Sequence, residues 1–249
     1  METRCFYQVY RESRSTMPGV GDCSICIYDP ENNQKCPGYS GIQLKEKQIS
    51  LLHRPSDFDQ IVWIDAGHGG KDNGAEYGFL SEDNVNLGIA FYLDYEFRFI
   101  GIETCMTRMK DEYVSLEQRV TEANIKKADL FISIHCDAFH KKTARGMTVH
   151  IAENHSQKAL ILAKAIDRQL RLQFPEHQHR EIKKSNFYVL TKTKMPAVLI
   201  ECEFLSNPET RNFLRKAENQ RSLAKTICEG VKQYLIKIGF NRSSIEVKL

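Results

Sequence analysis

Blocks of apolar and polar positions alternate along most of the chain. Ile61-Val62-Trp63-Ile64 is a short apolar run that leads through Asp65 into Ala66-Gly67-His68-Gly69-Gly70. It reads as a buried strand feeding a glycine-rich loop. Ser81 precedes Glu82 and Asp83, and Val85, Ile89, Leu93 and Phe97 then recur every four residues. That spacing predicts a helix over 82–99, with Ser81 as its N-cap and Glu82 fixed at its start. Further strands are expected at 102–107, 130–135, 146–152, 186–190 and 197–201. Helices are expected over 116–127, after Ser156 with Leu160, Ala163, Ile166 and Leu170 inward, from Asn207-Pro208-Glu209, and around Leu223, Ile227, Val231 and Leu235. Strands alternating with helices predict an α/β fold: a single mixed, mostly parallel twisted sheet covered by helices on both faces.

Residues 1–57 break this pattern. They carry Cys5, Cys23, Cys26 and Cys36 among several Gly and Pro, with no sustained period. Cys23-Ser-Ile-Cys26 is a C-x2-C pair, so a structural zinc knuckle could use Cys23, Cys26, Cys36 and either Cys5 or His53. The competing reading is a loop-rich arm with free thiols. The expected organisation is a loop-rich N-terminal extension (1–57), a catalytic domain (58–240) and a short tail (241–249).

Composition narrows the function classes. The 249 residues are 41% hydrophobic and 27% charged, with a formal net charge of +3. That charge is too mild to point to nucleic acid. No stretch approaches the roughly 18–20 apolar residues of a membrane span. The first residues lack the apolar core of a secretory signal, so synthesis in the cytoplasm without a leader is expected. Eight cysteines in that compartment read as free or metal-bound rather than paired.

In sheets of this kind, functional groups gather beyond the carboxyl ends of the strands. His68, His135 and Glu201 all fall at such ends, and Glu82 opens the helix beside the first. Each alone has a bland explanation, such as a structural histidine or an acidic side chain complementing a helix dipole. Together, two His and one Glu make a catalytic zinc set with a position left open for water. Zinc brings the pKa of that water towards about 7, and Glu201 is placed to accept its proton. The chemistry is metal-assisted hydrolysis of an amide. Glu203 is the rival base, since alternation puts it on the face of Glu201. Cys136 and Cys202 read as packing residues on the opposite face, and Cys105 and Cys228 as core. Asp65 either orients a metal ligand or stabilises the turn, and Arg180 is a candidate for a substrate carboxylate. His140, His150, His155, His177 and His179 read as solvated or hydrogen-bonded imidazoles in loops or at element edges.

The same residues carry a resemblance. The pieces are Ile64-Asp65-Ala66-Gly67-His68-Gly69-Gly70, Glu82-Asp83-Asn84-Val85-Asn86-Leu87, Arg119 with Ala123-Asn124, and Asp129 through Phe139. Phe187-Tyr188-Val189-Leu190 and Pro196 through Pro208 complete the set, in order over about 60–237. The chain resembles the zinc-dependent N-acetylmuramoyl-L-alanine amidases of the Amidase_3 family. The resemblance implies that His68, Glu82 and His135 hold Zn2+ and that Glu201 is the catalytic acid/base. It implies cleavage of the amide joining the lactyl group of N-acetylmuramic acid to L-alanine in peptidoglycan, hence action at the cell wall after release. Departures are Ala66 and Asn73, where proline is frequent, and Glu203 in place of a usual glycine. Only ten residues separate His135 from Gly146, where divisome-type relatives carry a long autoinhibitory insertion, which implies an open site. The layout resembles a phage endolysin, with a bacterial wall amidase as the second reading. A silent wall-binding or virion structural protein and a peptide carboxypeptidase are the competing functions.

Overall fold

The computed structural model describes residues 4–5, 43–44 and 60–239. Strands β1 (Ile61–Ala66), β2 (Glu103–Met106), β3 (Leu130–Asp137), β4 (Thr148–Ala152), β5 (Lys183–Ser185) and β6 (Ala197–Phe204) form one sheet in the order β2-β1-β3-β6-β4-β5. β1, β2, β3 and β6 are parallel, β4 is antiparallel to β6, and β5 is parallel to β4. This is the expected mixed, mostly parallel sheet. The helices are α1 (Glu82–Phe99), α2 (Leu116–Ile125), α3 (Gln157–Gln173), α4 (Tyr188–Lys192), α5 (Pro208–Leu214) and α6 (Ala217–Lys237).

Alternation along each strand divides the core into two layers. Val62, Ile64, Ile132, Ile134, Val149, Val198 and Ile200 pack with α1, α3 and α6 on one face. Trp63, Phe131, Ala197 and Leu199 pack with Val120 and Ala123 of α2 and Val189 and Leu190 of α4 on the other. Burying one such aliphatic or aromatic side chain contributes about 1.5–3 kcal/mol, so both helical layers are held chiefly by these stripes. The every-fourth stripe of α1 is fully buried, and Leu87, Phe91 and Tyr95 are buried as well. α1 is therefore covered nearly all round.

Local chemistry sets the helix starts. Ser115 Oγ accepts from Gln118 N–H, Ser156 Oγ from Ala159 N–H, and Asn207 Oδ1 from Glu209 and Thr210 N–H, with Pro208 in the first turn. Ser81 occupies the N-cap position of α1 without capping it, because its Oγ accepts from Asn84 Nδ2 instead (2.8 Å).

Three expectations change. Asn186–Leu190 is not a strand: β5 precedes it, and Tyr188–Lys192 is a helical turn. Val189 and Leu190 are both buried there, a pattern that a short buried helix shares with a strand. The buried face of α3 runs through Ala159, Leu162, Ala163, Ile166 and Leu170, with Leu160 only half-buried. His150 is neither in a loop nor solvated; it lies buried within β4, with Nδ1 2.7 Å from Ser185 Oγ.

Arg4–Cys5 pairs with Gln43–Leu44 as a short antiparallel ribbon. Cys23, Cys26, Cys36 and His53 lie outside the described residues, as does the Cys5 side chain, and with them the expected zinc knuckle. No helix among the described residues is long and apolar enough to cross a membrane.

Candidate metal centre

β1, β3 and β6 run side by side and end together. Beyond β1, the chain turns sharply: Gly67 N–H still donates to the Ile134 carbonyl of β3 (3.0 Å), and His68 then takes φ 60°. A histidine in this left-handed region is uncommon and is held there by its surroundings. Arg119 of α2 supplies much of the restraint. It donates to Asp65 Oδ1 and to the Ala66 and His68 carbonyls, each at 2.7 Å. Arg108 adds bonds to the Ala66 and Gly67 carbonyls at 3.0 Å and to the Asp83 carbonyl at 2.7 Å. Two buried guanidiniums thus cradle one turn.

Asp65 belongs to this scaffold. Its second oxygen accepts from Ser133 Oγ (2.7 Å). Burial works against its charge, but Arg119 and Ser133 outweigh that and hold its pKa below the ordinary value. Of the two roles open to Asp65, its contacts are those of a turn stabiliser.

His68, Glu82 and His135 converge at the strand ends, with one donor atom from each lying within 4.8 Å of the others. Glu82 Oε1 is 3.2 Å from His68 Nε2 and 3.0 Å from His135 Nδ1. The same oxygen accepts from Cys136 N–H (3.2 Å) and Asn86 Nδ2 (3.4 Å), while Oε2 accepts from Ala75 N–H (3.1 Å). Four nitrogens crowd one oxygen, more than its lone pairs serve. Two imidazole nitrogens and a carboxylate facing one point suit a zinc ion, the imidazoles then offering lone pairs instead of protons. Asp72 Oδ2 lies 3.0 Å from His68 Nδ1, which turns Nε2 towards Glu82. Space around these three side chains is scant. A Cβ on Gly67 would lie 2.3 Å from the His135 ring, and one on Gly74 2.6 Å from Glu82 Oε2.

Charge follows geometry. Burial opposes a charge on His68, yet Glu82 and then Asp72 raise its pKa from 6.5 to about 9. Burial also opposes the Glu82 carboxylate, but the two imidazoles hold it far below the usual range. Glu201 is the opposite case. Burial pushes its pKa well up, Glu82 and Asp137 push the same way, and Lys183 only partly offsets them. Glu201 is paired in register with His135, and its Oε2 is buried with no hydrogen-bond partner among the described residues.

Glu203 does not share that environment. Cys202 and Glu203 together stand where β3 has only Cys136, a bulge that interrupts the alternation on which the same-face expectation rested. The buried Glu203 carboxylate accepts from Gly146 N–H (2.7 Å) and Phe204 N–H (3.2 Å) and lies 2.9 Å from His177 Nδ1. Cys136 and Cys202 are buried in the α1-side core, as expected. Arg180 spends Nε and Nη2 on the Arg145 carbonyl (3.2 and 3.0 Å) and stacks 4.7 Å over the Phe204 ring.

Sequence reasoning passed over Asp72, Asn86 and Arg108. Asn86 stands four residues after Glu82 on the same helix, a spacing that signals a neighbour; Asp72 lies in a loop, and no local pattern marks it or Arg108.

The Amidase_3 family model, described as N-acetylmuramoyl-L-alanine amidase, matches residues 62–233. The probable cell wall amidase LytH of Staphylococcus epidermidis is 35% identical over 189 residues, covering 74% of this chain and 61% of LytH. The N-acetylmuramoyl-L-alanine amidase LytC of Bacillus subtilis is 32% identical over 176 residues, 70% of this chain but only 35% of LytC. The crystal structure of an N-acetylmuramoyl-L-alanine amidase from Clostridium difficile 630 superimposes with a TM-score of 0.69 at 33% identity, over 72% of this chain and 98% of that one. The chain belongs to the Amidase_3 family of N-acetylmuramoyl-L-alanine amidases.

Proposed function

We propose that the protein is a zinc-dependent N-acetylmuramoyl-L-alanine amidase of the cell wall, acting on the amide between N-acetylmuramic acid and L-alanine in peptidoglycan. The observation that carries this is the convergence of His68, Glu82 and His135 with a half-buried Glu201 one strand away, whose buried Oε2 has no hydrogen-bond partner among the described residues. His68, Glu82 and His135 would hold the zinc. When bound, the metal supplies Lewis acidity and a water acidified towards neutrality.

The remaining chemistry belongs to the chain. Glu201, with a raised pKa, accepts the proton of the attacking water and delivers it to the alanine nitrogen as the C–N bond breaks. Glu203 is the weaker base because three partners already occupy its carboxylate. Asp72 and Arg119 keep His68 in place through its ring and its carbonyl. Arg180, with Lys183 nearby, is the proposed contact for a carboxylate of the stem peptide. Residues 58–240 form the catalytic domain in this reading, with 1–57 as an extension and 241–249 as a tail. A phage endolysin and a bacterial wall amidase both fit this reading, the Staphylococcus and Bacillus relatives being named as amidases.

The test is a muramyl-peptide fragment incubated with and without chelator, its products identified by mass spectrometry. The expected products are the lactyl-sugar and a peptide with a new N-terminal L-alanine, lost with chelator and restored by zinc. Cleavage at another bond would refute the amidase assignment. Glu201→Gln is expected to keep zinc and lose at least roughly a hundredfold in kcat. A near wild-type rate in that variant would move the proton to another group.

A further inference from the structure

Three side chains form one row at the open end of the sheet. Glu201 of β6 is paired in register with His135 of β3 on one side and with Thr148 of β4 on the other. Directly opposed residues on neighbouring strands project from the same face, with Cβ atoms about 4.5–5.5 Å apart. The packing fixes that face independently. Met147, Val149 and Ile151 of the β4 segment and Ile200 and Cys202 of β6 all belong to the α1-side core. Thr148 and Glu201, lying between them, therefore face the opposite way.

Thr148 is buried, and its Oγ1 has no hydrogen-bond partner among the described residues. Glu201 Oε2 is in the same condition. Buried polar atoms without partners are rare, and each calls for an explanation. Here two of them occupy adjacent positions on one face. Their polar neighbours are engaged: His150 Nδ1 with Ser185 Oγ, and the Glu203 carboxylate with Gly146, Phe204 and His177.

We propose that Thr148 is a positioning residue for Glu201, its hydroxyl turning to hold the carboxyl group in the orientation used for proton transfer. This rests on the role proposed above for Glu201. A hydroxyl suits the task because it is one donor and two acceptors on a rotor. The two groups are not bonded to each other as placed; a turn of the Thr148 side chain would let its hydroxyl donate to Glu201 as carboxylate and accept from Glu201 as acid. The transferred proton itself passes only between Glu201 and the reacting atoms.

Thr148→Val keeps the shape and removes only the hydroxyl, and Thr148→Ser keeps the hydroxyl. The Val variant is expected to lose roughly tenfold in kcat, the scale of one hydrogen bond to a charged group. KM and bound zinc should not change, and the Ser variant should recover most of the rate. A readout independent of turnover is the 13Cδ resonance of Glu201 in the zinc-loaded full chain, identified by its loss in Glu201→Gln. It should move in the Val variant and stay near its wild-type position in the Ser variant. Wild-type kcat in the Val variant overturns the proposal, as does a raised KM at unchanged kcat, which would make Thr148 a substrate contact. An unmoved resonance overturns it as well. A resonance that moves in a protein without amidase turnover supports the Thr148–Glu201 contact and refutes the amidase.

Discussion

Gly67 has no room for a side chain: its missing Cβ is the space in which the His135 ring sits. Gly67→Ala should displace that ring, lowering zinc affinity at least roughly tenfold and stability by about 1–3 kcal/mol through overpacking. Zinc titration and urea unfolding of the purified variant measure both, and wild-type values would show that the turn relaxes freely. His68 yields a prediction in protons. Its pKa is 6.5 ordinarily and about 9 in the metal-free fold. The raised value means that its ion pairs stabilise the metal-free protein fully below 6.5, and that this stabilisation is lost as pH rises through about 9. Zinc must displace the proton, so binding at about pH 7.5 should release close to one proton from His68. Calorimetry in two buffers of different ionisation enthalpy reads that number, and a buffer-independent enthalpy would contradict it. At this scale, the convergence of His68, Glu82 and His135 near Glu201 was legible because each stands at the end of an apolar run or the start of a helical stripe. The carboxylate behind His68 was not singled out, since Asp72 sits in a glycine-rich loop where spacing carries no direction. Glu203 was misplaced because a bulge leaves no mark in hydrophobic alternation.

Arg119 is where α2 does more than cover the sheet. Its guanidinium ties that helix to the end of β1 and neutralises the buried Asp65 carboxylate. Arg119→Ala leaves Asp65 buried with Ser133 as its remaining listener and should cost about 3–5 kcal/mol. Urea denaturation is the measurement, and a loss under 1 kcal/mol would mean water replaces the guanidinium easily. On the same helix, Asn124 donates from Nδ2 to the Lys192 carbonyl and accepts at Oδ1 from Lys194 N–H, joining α2 to the segment after α4. The long elements were readable from periodicity alone, since α1 shows four turns of stripe and β1, β3 and β6 show continuous apolar runs. Asn186–Leu190 was not. A handful of apolar residues buried on one side fits a helical turn and a strand equally, and tertiary packing on Trp63 and Phe131 decides between them.

For the molecule as a whole, the two-layer core and the candidate site seen among the described residues both lie within 60–239. A chain cut to residues 58–240 should therefore unfold cooperatively and bind one equivalent of zinc. Comparison with the full chain by metal analysis under reducing conditions then isolates the cysteines of 1–57. Extra zinc in the full chain would support a knuckle there, and equal zinc would leave free thiols. Failure of the shorter chain to fold would show that the extension completes the core. The strand order has a consequence for timing. β6 fills the slot between β3 and β4, although it is the last strand of the sheet to leave the ribosome. His68, Glu82 and His135 are all synthesised before it, so a nascent chain can gather around a cation while the slot for Glu201 is still open. Closing that slot joins Phe131 to Ala197, a long-range pairing of the kind that limits folding rates. In the proposed mechanism, hydrolytic competence would arrive only with the strand that closes the sheet, and a half-made chain holding a cation at His68, Glu82 and His135 would still lack its proton acceptor.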